Sequence, residues 1–89
     1  MNLGSKFSPK LRKALLREPG DTVVRGLIEI APGTDADALS RELTSLGAEV
    51  CSRSEQARLI TVDISLSRLQ KLDALSAVLY VEADEMYRR

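Results

Sequence analysis

The chain contains no histidine, no tryptophan and only three aromatic residues, Phe7, Tyr80 and Tyr87. Without histidine it lacks the side chain that most often serves as a general base or metal ligand near neutral pH. No glycine-rich phosphate loop stands in for that chemistry. Cys51 is the single cysteine, which excludes an intramolecular disulfide and a thiolate zinc site and points to a reducing compartment. No apolar run reaches the ~18 residues of a membrane span, and the N-terminus lacks the apolar core of a signal peptide. Lysine plus arginine equals aspartate plus glutamate at 13 each, so the domain as a whole has no attraction for polyanions. Ferredoxin-like RNA binders stack bases on sheet aromatics, and the strand-like runs here offer little beyond Tyr80. These absences lead to the expectation of a cytoplasmic binding protein. An enzyme, a cofactor, a metal site, a nucleic-acid partner and a membrane partner are not expected.

What is present suits a small aliphatic core. The 89 residues are 44% hydrophobic and 29% charged, the balance of an ordinary globular chain. They are enough for one core, built from Leu, Val, Ile and Ala. Charge is unevenly spread: Lys6, Lys10, Arg12, Lys13 and Arg17 precede a mildly acidic remainder. Ser8-Pro9 marks a helix start, with a serine cap and a proline at the first helical position. Leu11, Ala14, Leu15 and Leu16 form its apolar stripe, and Pro19-Gly20 stops it. So short and basic a helix is marginal alone, so it must dock on its own domain or on a partner. Residues 1–20 are read as this helix and its linker, preceded by a mobile end at 1–5, and residues 21–89 as the main domain.

Thr22–Ala31 is β-branched and partly alternating, which predicts a first strand, with Gly26 marking a bulge or a close backbone approach. Pro32-Gly33 turns the chain. Thr34 then caps a helix carrying Ala36, Leu39, Leu43 and Leu46, with Asp35 and Asp37 in its first turn and Gly47 at its end. Two strands follow, near Ala48–Arg53 and Arg58–Ile64, and in the second Leu59, Thr61 and Asp63 oppose Ile60, Val62 and Ile64. Ser65 or Ser67 caps a second helix with Leu66, Leu69, Leu72 and Leu75, and Val78–Glu82 is the last strand. Helix plus βαββαβ predicts an α+β fold of the ferredoxin-like kind: a four-stranded antiparallel sheet, two helices on one face, and an extra N-terminal helix. The other sheet face stays open, which suits a partner or a second copy.

The order of elements, the Pro-Gly turn, the Leu46-Gly47-Ala48-Glu49-Val50 run, Leu69-x-x-Leu72 and above all Val78-x-Tyr80-Val81-Glu82-x-Asp84 resemble the propeptides of subtilisin-like serine proteases and their free-standing inhibitor relatives. The resemblance spans about residues 22–87. It implies that the open face packs on two surface helices of the protease, with Glu82 and Asp84 capping the helix N-termini. It also implies that Glu85, Met86, Tyr87, Arg88 and Arg89 lie in the active-site cleft like a cleaved product, the domain contributing no catalytic residue. The Arg88-Arg89 ending departs from the family: either the target accepts basic residues, or Met86 or Tyr87 fills the main pocket. No protease follows, so a trans-acting inhibitor or detached folding assistant is expected. The alternative is a ferredoxin-like dimerisation or regulatory module, a homodimer through the open face, with no protease partner.

Overall fold

A computed structural model describes residues 6–88, the side chains of Tyr87 and Arg88 excepted. The expectation of a mobile end at 1–5 lies outside the described residues, as does any role for Arg89. The first helix, α1, spans Pro9–Arg17. Ser8 caps it by accepting a hydrogen bond from the Leu11 N–H at 3.3 Å, and Glu18 closes its far end. Strand β1 covers Thr22–Ile30 and helix α2 covers Ala36–Ser45. Strands β2 and β3 are Glu49–Ser54 and Leu59–Ser65, joined through a turn in which Arg58 takes φ 55°. Helix α3 covers Leu66–Leu69 and runs into a 3-10 turn at Gln70–Ala74, after which β4 spans Val78–Arg88.

The four strands form one antiparallel sheet in the order β2-β3-β1-β4. Strands β1 and β2 both run antiparallel to β3, so they are parallel to each other with β3 between them; β3 and β4 flank β1 in the same way. Each helical crossover therefore skips one strand. The fold is α+β, with the helices packed on one face of the sheet. That face carries Val24, Ile28, Ile60, Val62, Ile64, Val78 and Val81, all 1% exposed or less.

Three elements depart from the sequence expectation, and the N-terminal helix takes one of the alternatives it left open. Asp35, one residue later than Thr34, caps α2: its carboxylate accepts from the Asp37 and Ala38 N–H groups, while the Thr34 hydroxyl donates to the Ala31 carbonyl at 2.6 Å. The leucine helix is one α-turn followed by 3-10 structure. Leucines at 66, 69, 72 and 75 recur every third residue, the period at which a 3-10 helix eclipses its side chains. The basic helix docks on its own domain, one of the two expected alternatives: Phe7, Leu11 and Ala14 belong to the same buried cluster as the sheet residues. Lys6 ties this segment down further, its ammonium donating to the carbonyls of Asp73 and Leu75 at 3.0 and 2.9 Å, where a cation is favourable at a helix C-terminal end. The last strand, finally, runs six residues beyond Glu82.

One buried group carries a cost. Thr22 is 2% exposed, and its Oγ1 has no hydrogen-bond partner among the described residues. Valine keeps the β-branched shape and removes the orphaned hydroxyl. Thr22→Val is expected to stabilise the domain by about 1–2 kcal/mol, read as a higher melting temperature, and an unchanged or lower value would contradict the assignment.

Candidate functional site

The open face is set by alternation. Val23, Arg25, Leu27 and Glu29 point away from the helices, and residues paired across neighbouring strands share a face. The ladder arranges them in rows. Ser54, Leu59, Glu29 and Tyr80 form one row; Ser52, Thr61, Leu27 and Glu82 the next; Glu49, Asp63, Arg25 and Glu85 the third. Leu27 in the middle is 36% exposed, and Leu59, Thr61 and Tyr80 are half-buried. The centre is thus modestly apolar and its surroundings acidic.

Arg25 and Asp63 lie opposite each other and close a two-pronged ion pair, Nε to Oδ1 at 2.9 Å and Nη2 to Oδ2 at 3.1 Å. Asp63 is 8% exposed and Arg25 38%, so the paired geometry fixes a carboxylate that burial alone would make costly. Sequence reasoning placed Asp63 on this face but missed its partner. The available signal was one charged residue in the middle of each of two adjacent β-branched runs.

Glu82 and Asp84 are both exposed. Glu82 stands across from Leu27. Asp84 has no partner in β1: the pairing steps from Gly26↔Ala83 to Arg25↔Glu85, leaving Asp84 as the extra residue of a bulge. Gly26 therefore does sit at a bulge, the inserted residue being on the facing strand. A bulge bends its strand and re-aims a side chain, so Asp84 leaves the plain alternation of its neighbours. Both acids lie within β4, not beyond its end. Neither makes an ion pair with a described residue.

Of the residues that the resemblance assigns to a protease cleft, four pair with β1 in this chain: Glu85 with Arg25, Met86 with Val24, Tyr87 with Val23 and Arg88 with Thr22. Glu85 is exposed, and Met86 is half-buried on the helix face against the core, near Lys10, Lys13 and Arg17 of α1. The acidic run at 82–85 has poor strand propensity, but nine residues of β1 supply a backbone template, and Met86 gives the added segment an apolar contact.

Cys51 is exposed on the edge strand β2, at a register shift that leaves it without a partner in β3. Packing around the sulfur, then the nearby Asp63 carboxylate, pushes its thiol pKa up. The thiolate fraction at neutral pH is therefore below that of a free thiol, and the group is a weak nucleophile. Alkylation by iodoacetamide at pH 7 is expected to be slower than for glutathione and to accelerate above the ordinary thiol range; a rate equal to glutathione's would contradict this. Among the described residues no three His, Cys, Asp or Glu side chains are placed to hold a metal ion, and no helix is long and apolar enough to cross a membrane. No protein-family model and no curated protein sequence matches this chain.

Proposed function

We propose that this domain is a non-catalytic binding module of the subtilisin-propeptide kind, which inhibits, or assists the folding of, a subtilisin-type serine protease. It does so by setting the open face of a ferredoxin-like sheet against the enzyme surface. The sheet order with two strand-skipping crossovers supports the ferredoxin-like reading. The observation that carries the functional reading is the acidic open face, with Glu82 on its β4 side and Asp84 at the adjacent bulge, both exposed and in no ion pair among the described residues. Helix N-termini present unpaired N–H groups and partial positive charge, and a carboxylate answers both. The apolar centre at Leu27, Leu59 and Tyr80 supplies contact area between them. The tail residues Glu85–Arg89 then occupy the cleft, β-pairing with the enzyme backbone. Nothing in this role needs a catalytic residue or a cofactor.

A homodimer through the same face is the alternative, as a dimerisation or regulatory module. Each copy would bring Glu29, Glu82 and Glu85 to such an interface, with Arg25 already paired to Asp63, and two faces of the same net sign repel. The protease reading is tested by titrating the purified chain into a subtilisin-type protease and following activity for hours. Inhibition at nanomolar to micromolar chain is expected. Rapid digestion without inhibition, or a tight dimer by solution mass, would sink it.

A further inference from the structure

Strand β4 consists of two unequally held halves. Residues 78–83 are held on both edges, on the second at Val81. One edge pairs with β1; on the other, the Val81 N–H donates to the Lys6 carbonyl at 2.7 Å, and the Ser8 N–H donates to the Val81 carbonyl at 2.9 Å. Val78 and Val81 are fully buried. Residues 85–88 are paired with β1 along one edge, with no second strand beside them among the described residues. Glu85 is exposed, and Met86 is only half-buried. Between the halves lies Asp84, the bulge residue at which the ladder slips by one.

We infer that 85–88 is a stored binding strand hinged at Asp84: it rests on β1 in the free domain and leaves it to pair with a protease cleft. This rests on the proposed function, and it adds how the tail becomes available. A bulge already interrupts the ladder, so the outer half can open without drawing on the pairs of the inner half. The backbone groups given up along Thr22–Arg25 are of the same kind as those an extended-peptide cleft supplies, so release and capture exchange one strand pairing for another. The free domain would thus hold the segment extended and shielded, and Glu82 and Asp84 would stay with the fixed part to orient docking.

Thr22 and Arg88 are partners across this ladder, and the Thr22 hydroxyl has no partner among the described residues to lose. Thr22→Cys with Arg88→Cys, in a Cys51→Ser background, therefore allows a disulfide that clamps the outer half to β1. Oxidised, this chain is expected to inhibit a subtilisin-type protease at least roughly tenfold more weakly than when reduced, because clamping removes the competent population. Equal inhibition by both forms overturns the stored-strand inference and leaves the docking reading intact; inhibition by neither overturns both. Hydrogen exchange on the unmodified free chain supplies the second readout. Amides in 85–88 are expected to exchange about 100-fold or more faster than the protected amides of 78–83, and equal protection of the halves overturns the inference.

Discussion

Replacing Phe7 with alanine is expected to destabilise the domain by about 3–5 kcal/mol, the cost of emptying a buried aromatic site. Phe7 is 2% exposed and belongs to the central cluster, while its backbone bridges to Val81. A domain of this size has roughly 4–13 kcal/mol in total, so the loss is a large share of what holds it folded. The effect also spreads beyond the cavity: the Lys6–Ser8 segment covers the free edge of the inner half of β4, and α1 packs on β4 and α3. Urea denaturation of the two chains would measure it. A change below about 0.5 kcal/mol, the size typical of surface substitutions, would mean that the N-terminal segment is an arm and not a part of the core.

Charge reversal at the open face is expected to act in the opposite way, leaving stability alone and abolishing binding. Glu82→Lys with Asp84→Lys alters two exposed side chains that hold no described ion pair, so unfolding should move by less than about 0.5 kcal/mol per substitution. Against a protease the same pair removes two carboxylate–helix contacts worth about 0.3–2 kcal/mol each and puts cations at the positive ends of helices. A loss of inhibition of about 100-fold is the expected scale, since each 1.4 kcal/mol is tenfold. Inhibition within a factor of about two of the unaltered chain would remove these two acids from the interface. A large loss of stability would instead assign them to the fold.

Much of the architecture was legible because the relevant signals are local. Ser8-Pro9 begins α1, Gly47 with φ 97° ends the turn after α2, and the alternation through Leu59–Ile64 assigns each side chain of β3 to its observed face. The missed features depend on residues distant in sequence. Nothing in Ala83–Glu85 announces a strand; it forms one because β1 offers an unpaired edge and Met86 reaches the core. Arg25 reads as an interruption of a β-branched run until Asp63, 38 positions away, is brought opposite it. The basic face of α1 drew attention to its exposed charges, while the feature that fixes its place is Phe7, one residue before the cap. Leucines every third residue suit a helix stripe and 3-10 geometry alike, and the structure combines the two. For the site, the sequence located Glu82 and Asp84 but not the bulge that sets Asp84 apart.

The most direct test of the central claim, that the open sheet face is the working surface, is NMR shift mapping of the labelled chain with a catalytically inactivated subtilisin-type protease. The account predicts binding, with the largest perturbations at Leu27, Glu29, Thr61, Tyr80, Glu82 and Asp84, and little change on the outward faces of α1 and α2. Perturbations concentrated on the helices, or no binding with the face buried in a homodimer, would contradict it.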